Sequence, residues 1–254
     1  AGRPARPALA LAAAGRARAY VRDGIILAPG YPWDLMFLHA VKAVASWRQF
    51  SEAHAVAGAA RASPLYDLVC AFFCHGFGGT CVRDWAMGEA PSLFTNPQLP
   101  PAFVLAFSAV YYSPFDAVYG LVATPRTLSS MALTAFEAID SATTVFGSVE
   151  KGARLFPESP AAPFLAAVLA GVGGSLFRYL ERRLGRGWAH EETEWARPTE
   201  TMRRTVLYAA AYMMLRKTHG ARSARLWMTV FHIVWSLAKE LSGQPLDVTA
   251  FLAL

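Results

Sequence analysis

Hydroxyl and carboxyl side chains recur between residues 127 and 148 at alternating steps of three and four. That spacing places them in one stripe along an α-helix, from Thr127 to Ser148, with Asp140 one step around from Glu137. Their oxygens would give a passing cation a ladder of ligands and a negative potential. The stripe is therefore predicted to line a water-filled pore, and the alternative is a soluble amphipathic helix with its polar face in water. The predicted pore-lining residues are Ser130, Thr134, Glu137, Asp140, Ser141 and Thr144.

A glycine motif occurs twice, 95 residues apart, and both copies end in arginine. Gly76 to Arg83 and Gly171 to Arg178 share the pattern Gly-x-Gly-Gly-(Thr/Ser)-x-x-Arg. A helix with three glycines within four residues is expected to bend or unwind, and the freed carbonyls must then face protein or water. Close helix packing through small residues is the alternative for one copy alone. The predicted helix-break and gating residues are Gly76, Gly78, Gly79, Gly171, Gly173 and Gly174.

Two basic side chains are candidates for a charge partner or a gate. Lys42 interrupts an apolar run, and it could pair with Asp67 or Glu137. Arg178 closes the second glycine motif. An ionisable group in an apolar run is costly unless it is paired or faces a cavity, and the alternative is that such groups lie at segment ends in water.

Three cysteines lie close together, at positions 70, 74 and 81, with His75 beside the second. Their spacing is conceivable for a metal, but cysteine is commonly a small buried residue, so no metal site is predicted. The chain has no Gly-x-Ser-x-Gly, His-Glu-x-x-His or phosphate-loop motif. The sequence therefore predicts no cofactor and no enzymatic activity.

The elements that would carry these residues are apolar segments. Hydrophobic residues make up 54% of the 254 and charged residues only 17%, against roughly 25% in an ordinary soluble domain. At ~1.5 Å rise per residue, the second to fifth segments are each long enough to cross most of a ~30 Å hydrocarbon layer. The net charge of +6 suits anionic lipid head groups, and no nucleic-acid partner is predicted. The segments are roughly 33–50, 64–82, 101–122, 127–149, 161–180, 201–217 and 223–241.

These segments predict an all-α membrane protein with seven transmembrane helices. An odd number of spans in each copy of the repeat forces opposite orientations, so we expect two inverted three-helix repeats plus one additional C-terminal helix. A soluble or peripheral helical interaction protein is the rival reading. The predicted divisions are a basic N-terminal arm at 1–31, the first repeat at 32–122, the second repeat at 123–218, and the seventh helix with the C-terminus at 219–254.

One stretch resembles the signature of a known family. Tyr112-Ser-Pro-Phe-Asp116, followed by Val118-Tyr119, is similar to the Tyr-Ser-Pro-Phe-Asp-x-x-Tyr of TRIC channels, the trimeric intracellular cation channels. Gly78-Gly79 with Gly88-Glu-Ala-Pro91 resembles the second helix of that family, and Ala170-Gly-Val-Gly-Gly-Ser175 resembles its fifth. The similarity runs over about residues 30–242.

The resemblance implies a homotrimer in the membrane of the endoplasmic or sarcoplasmic reticulum, with seven helices and one pore in each subunit. It implies conduction of monovalent cations, chiefly potassium, as counter-ions to calcium release and uptake. It also implies membrane lipids as partners and a phosphoinositide or other lipid near the pore. A secondary transporter built on the same inverted repeat is the alternative function, because broken helices serve alternating access equally well.

The fourth segment departs from the family pattern. Animal members carry Lys-Glu-Val there, with an arginine one turn later, whereas this chain reads Phe136-Glu137-Ala138 with Asp140 near the arginine position. Only Glu137 matches. No lipid-contact residue is therefore carried over to this place.

Overall fold

The computed structural model describes residues 15–16, 19–27, 32–53, 63–185, 198–243, 247 and 249. Most of the predicted N-terminal arm lies outside these residues. Within them the chain is helical between turns, and no strand occurs. Short helical turns cover Tyr20–Ile26, Ser92–Thr95 and Pro114–Asp116. The helices are α1 (Trp33–Ala53), α2 (Pro64–Cys70), α3 (Gly78–Ala86), α4 (Leu99–Tyr112), α5 (Ala117–Ala123), α6 (Leu128–Leu155), α7 (Ala162–Gly185), α8 (Glu200–His219) and α9 (Ala221–Ser242).

Local capping explains where several helices begin and end. The Ser63 hydroxyl accepts the Tyr66 N–H at 3.2 Å, and Pro64 occupies the first helical position of α2. At the start of α6, Thr127 and Ser130 cap each other reciprocally. Gly220, with a φ of 78°, separates α8 from α9, since a positive φ is costly for other residues.

The first glycine motif breaks its helix, as the sequence predicts. α2 continues as a π-helical stretch over Ala71–Gly76, and α3 begins at Gly78. The two helical parts meet at an angle of 67°. The residue at the corner is Phe77, whose backbone has left the α-helical region with φ −100° and ψ 6°.

The second glycine motif does not break its helix. α7 runs from Ala162 to Gly185 through Gly171, Gly173 and Gly174 without interruption, so the predicted break at these three residues is wrong. The alternative of close helix packing holds instead. Gly171 faces the Thr205 side chain of α8, and Gly173 faces Val82 and Gly79 of α3.

The third apolar segment is two helices and not one. α4 ends at Tyr112, and the chain turns through Phe115 and Asp116, both with positive φ, before α5 begins. Arg48 of α1 holds this turn, donating to the two Asp116 carboxylate oxygens at 3.0 and 2.9 Å. Its guanidinium also lies 4.1 Å from the centre of the Tyr119 ring. The family-like signature thus forms a kink that one arginine clamps.

By length and composition, one helix of the described ranges could cross a membrane alone. It covers Ala162–Arg183, with a mean hydropathy of 1.4, and the bent α2–α3 pair would qualify as one broken span. α4 is apolar but shorter. This criterion therefore does not recover the seven separate spans expected from the sequence. In α6, which has 28 residues, the polar stripe itself lowers the hydropathy.

Two large apolar clusters and one small one form the core of the described residues. The first joins α1, the α2–α3 break and α4, and it contains Trp47, whose indole donates to the Asp67 carboxylate at 2.9 Å. The second joins α6, α7, α8 and α9, with the rings of Phe146 and Tyr212 stacked at 4.4 Å. α6 packs against α1 as well as against α7 and α9. It therefore lies where the first cluster meets the second.

Candidate functional site

A cavity of 1310 Å³ follows the polar face of α6. Its wall includes residues of α1, the α2–α3 break, α7, α8 and α9. The structure places all six predicted pore-lining residues on this wall, from Ser130 to Thr144. The ends of the predicted stripe have structural contacts: Thr127 caps α6, and the buried Ser148 donates its hydroxyl proton to the Thr144 carbonyl at 2.6 Å.

Both acids of the stripe have partners on α1. Asp140 Oδ2 lies 2.9 Å from His39 Nδ1, and both side chains are largely buried. Glu137 Oε2 lies 3.9 Å from Lys42 Nζ, in a more open part of the cavity. Of the two partners proposed for Lys42, Glu137 is the one it contacts, because Asp67 accepts the Trp47 indole N–H instead. These contacts partly offset the negative potential expected from the two acids.

A second set of charges lies further along α6, beside its C-terminal half. Asp84 is 1% exposed and accepts both Arg83, at 2.6 Å, and Lys151, at 2.9 Å. Arg83 also donates to the Ser148 hydroxyl at 2.8 Å. A buried carboxylate needs such partners, since an unpaired one is costly to desolvate. This cluster ties α3 to α6 at one end of the cavity.

The two glycine motifs cross each other beside the cavity. A Cβ added at Gly79 would lie 2.0 Å from the Ala170 carbonyl oxygen, and one at Gly173 would lie 3.0 Å from the Gly79 Cα. Gly78 is equally restricted, because its Cβ would lie 1.9 Å from the Phe73 carbonyl oxygen. Glycine at these positions lets α3 and α7 approach at backbone distance.

Arg178, at the end of the second glycine motif, donates a hydrogen bond to the helix break formed by the first motif. Its Nη1 donates to the Cys74 carbonyl oxygen at 2.7 Å, inside the π-helical stretch. A helix break leaves carbonyls without their usual donors, and a buried one must be satisfied in another way. Arg178, predicted as a charge partner or gate, therefore contacts the break directly and also lines the cavity.

The three cysteines are free and buried. In the ranges that the structure describes, no group of three or more His, Cys, Asp and Glu side chains converges in a way that could hold a metal ion. Cys74 lies at the break and on the cavity wall.

Sequence reasoning missed several residues of the site. His39 was visible only as a polar residue in an apolar run, and Asp84 only as the neighbour of Arg83. Glu240 of α9 also lies on the cavity wall, where it accepts the Ser130 hydroxyl proton. The sequence carries no signal for that contact, since 110 residues separate the partners.

Every helix from α1 to α9 carries at least one large apolar side chain that is exposed on the outer surface. Such a surface around a polar cavity reverses the arrangement of a soluble protein, and it is typical of membrane proteins that enclose a water-filled path. Fold and site together define the class of helical membrane channels and transporters. The exposed apolar side chains include Trp33, Leu65, Trp85, Leu105, Leu121, Leu128, Leu165, Met214 and Trp227.

Comparison with known proteins narrows this class. The family model of the TRIC channel matches residues 53–241, which is most of the chain, so the protein belongs to the TRIC channel family. It is therefore a multi-pass membrane protein and a cation channel and not an enzyme. No curated protein sequence matches the chain.

Solved structures share the fold. A structure from work on the activity of TRIC counter-ion channels in calcium release matches with a TM-score of 0.69 at 16% identity, covering 83% of this chain and 93% of the other. A trimeric intracellular cation channel from C. elegans, solved without Ca2+, matches with a TM-score of 0.66 at 20% identity over 85% and 92% of the two chains. The same kind of channel with bound Ca2+ gives 0.61 at 18% identity, over 84% and 92%.

Proposed function

We propose that this channel conducts monovalent cations, chiefly potassium, along the cavity beside α6. The observation that carries the proposal is the meeting of six oxygen-bearing side chains, from Ser130 to Thr144, on one cavity wall, in a protein whose helices all expose large apolar side chains. Hydroxyl and carboxylate oxygens can replace part of the hydration shell of a potassium ion. Potassium is the permeant ion in this proposal, and no organic cofactor takes part.

The proposed setting is a homotrimer in the membrane of the endoplasmic or sarcoplasmic reticulum, supplying counter-ion current during calcium release and uptake. The names of the structural relatives support it, since they are described as counter-ion channels in calcium release and as trimeric intracellular cation channels. Membrane lipids would contact the outward apolar side chains of each subunit.

No phosphoinositide contact is proposed on α6 beside Glu137. Phe136 packs against an apolar cluster formed by Ile26, Leu35 and Ile139, and Asp140 is acidic and lies 2.9 Å from His39. An anionic head group would meet a hydrophobic ring and a carboxylate there, which is unfavourable.

Gating is proposed to involve Lys42 and the glycine break. The Lys42 ammonium beside Glu137 occupies the position where a passing cation would meet that carboxylate. Movement at Gly76, Gly78 and Gly79 would shift the broken helix, whose Cys74 carbonyl is held by Arg178. In this mechanism, opening separates Lys42 from Glu137 and frees the acid for the permeant ion.

Reversal potentials in a KCl gradient across a planar bilayer test the pore. We expect Glu137→Gln with Asp140→Asn to lower the potassium-to-chloride permeability ratio about three- to tenfold, because two negative charges leave the path. Lys42→Met should raise the ratio, since it leaves Glu137 uncompensated. Glu158→Gln, which removes an exposed acid outside the cavity, is the matched control and should change nothing.

Two results would contradict the proposal. Unchanged ratios in all the cavity variants would remove these residues from the permeation path. Slow saturable exchange in place of unitary current steps would favour the secondary transporter. Trimer formation is measured separately, by the mass of the detergent-solubilised protein.

A further inference from the structure

Glu240 lies on the cavity wall where α6 begins, although it belongs to α9, the helix outside the two expected repeats. Its Oε1 accepts the Ser130 hydroxyl proton and the backbone N–H of Arg126, the latter at 3.3 Å. The Ser130 oxygen in turn accepts the Thr127 N–H at 3.2 Å, which leaves its own proton available to Glu240. The carboxylate is thus held at the N-terminal end of α6, where the helix dipole favours negative charge.

Glu240 differs from the other acids on the cavity wall because no basic side chain of the described residues forms an ion pair with it. Glu137 lies beside Lys42, and Asp140 beside His39. At the margins of the cavity, Arg225 pairs with Glu150, and Lys239 pairs with Glu200. In the described part of the chain, no Lys, Arg or His side chain comes within ion-pair distance of Glu240. Of the acids lining the cavity, it is the least neutralised.

The second oxygen of this carboxylate is also unsatisfied. Glu240 Oε2 is buried and accepts no hydrogen bond of good geometry from the described residues, although the Thr134 hydroxyl acts on the carboxylate from nearby. A carboxylate oxygen without a protein donor can be compensated by water or by a cation in the cavity. The Lys42 ammonium acts on Glu240 electrostatically from further away, so this carboxylate can attract a cation that enters the cavity.

Glu240 also lies at a different position along the α6 axis from Glu137. Its contact residue Ser130 and the next stripe acid, Glu137, are seven residues apart on α6. At ~1.5 Å rise per residue, that is about 10 Å, close to the screening length at physiological salt. Glu240 and Glu137 therefore act on a passing ion largely one after the other.

We propose that Glu240 is the specificity-determining acid at this end of the pore, and that α9, the helix outside the two expected repeats, contributes it. The proposal rests on conduction through the cavity, as proposed above. The carboxylate concentrates monovalent cations beside Ser130 and Thr134 and disfavours chloride there.

A merely structural role would predict a different pattern of effects. If Glu240 only linked α9 to α6, the permeability ratio would depend on its hydrogen bonds and not on its charge. Glu240→Gln keeps an oxygen acceptor for Ser130 and removes the charge. Ser130→Ala does the reverse, because it removes the hydroxyl donor and leaves the carboxylate.

Reversal potentials of the purified channel in a KCl gradient separate the two roles. We expect Glu240→Gln to lower the potassium-to-chloride permeability ratio about three- to tenfold, and more than Glu137→Gln does, since Glu240 is less compensated. Glu240→Asp should keep most of the ratio, and Ser130→Ala should lower it less than Glu240→Gln does, because it removes one hydroxyl from the wall and no charge. Should Glu240→Gln fail to assemble on size-exclusion chromatography, Glu240→Met removes the same charge from a side chain of similar length.

The outcomes are distinguishable from failure of the proposed function. A wild-type channel without cation preference would end the proposal of cation conduction through this cavity. A cation-selective wild type whose ratio survives Glu240→Gln would overturn the role of Glu240 alone. Equal loss of the permeability ratio in Glu240→Gln and Ser130→Ala would also overturn the role of Glu240, because it would indicate that the hydrogen bond between α9 and α6 is what the ratio depends on.

Discussion

The two glycine motifs share a sequence pattern but differ in conformation. Gly76 to Arg83 holds a 67° corner between α2 and α3, whereas Gly171 to Arg178 lies within one continuous helix. Their small hydroxyl residues behave alike: Thr80 donates to the Phe77 carbonyl at 2.8 Å, and Ser175 to the Val172 carbonyl at 2.6 Å. The local sequence therefore permits a helix break in both motifs. Contacts with other helices determine which of the two helices breaks.

The deciding contact is a hydrogen-bond donor for the freed carbonyls. In the first motif, Arg178 donates to the Cys74 carbonyl at the break. Arg83 is the residue that corresponds to Arg178, and it donates to Ser148 and Asp84 instead. A second break would need a donor that is already engaged, so the unbroken helix is the lower-energy choice there.

The largest expected effect comes from the matched glycines Gly79 and Gly174. A Cβ at Gly79 would meet the Ala170 backbone oxygen at 2.0 Å, and one at Gly174 meets nothing closer than 3.4 Å. Gly79→Ala should therefore destabilise the protein by about 3 kcal/mol or more, as severe overpacking does. Gly174→Ala should be neutral or stabilise the helix by up to about 1 kcal/mol.

Thermal unfolding in detergent measures both variants. The order of the two melting temperatures is the result that matters. Equal destabilisation would mean that both glycines are needed for the crossing, and the contrast between the motifs would then not rest on backbone contact at Gly79.

A smaller effect is expected for the two arginines. Arg178→Met leaves the Cys74 carbonyl without its donor, at a cost of about 1–3 kcal/mol, and the corner should relax. Spin labels at Leu65 and Trp85, exposed residues on α2 and α3, would report a changed distance. Arg83→Met should change this distance less, because Arg83 donates to Ser148 and Asp84 and to no carbonyl of the break. The same distance in both variants would show that the donor does not hold the break.

Helical periodicity in the sequence was enough to predict which residues share the polar face of α6. Ser130 and Thr144 were expected on one face because the backbone repeat fixes that face, and the structure brings the whole set to one cavity. The partners of the acids were not predictable in this way. Pairing of His39 with Asp140 depends on how α1 packs on α6, and no local pattern encodes that packing.

Two further features of the structure were not predicted, because they also depend on contacts between residues far apart in sequence. The kink after Tyr112 depends on Arg48, which lies 68 residues from Asp116 in sequence. The position of Glu240 on the cavity wall depends on where α9 ends against α6. Short-range patterns therefore indicated helices and polar faces, while breaks and charge pairs were set by long-range contacts.

The smallest expected effect concerns Gly171, the residue that corresponds to Gly76. An added Cβ would lie 2.5 Å from the Thr205 side chain, and Thr205 is 4% exposed, so it has little room to move. Gly171→Ala should cost about 1–2 kcal/mol. Combined with Thr205→Ala, it should cost about 1 kcal/mol less than the two single changes predict together, because the second change removes the clash.

The double-mutant cycle is measured by denaturant unfolding in detergent, with Gly147→Ala as the control, since nothing lies within 4 Å of a Cβ at that position. Additive effects would contradict the proposed contact with Thr205, since helix propensity alone makes alanine more favourable than glycine within a helix. A favourable coupling would place Gly171 in side-chain packing against α8, in contrast to the backbone crossing at Gly79. The two motifs would then differ in what their glycines contact as well as in whether their helices bend.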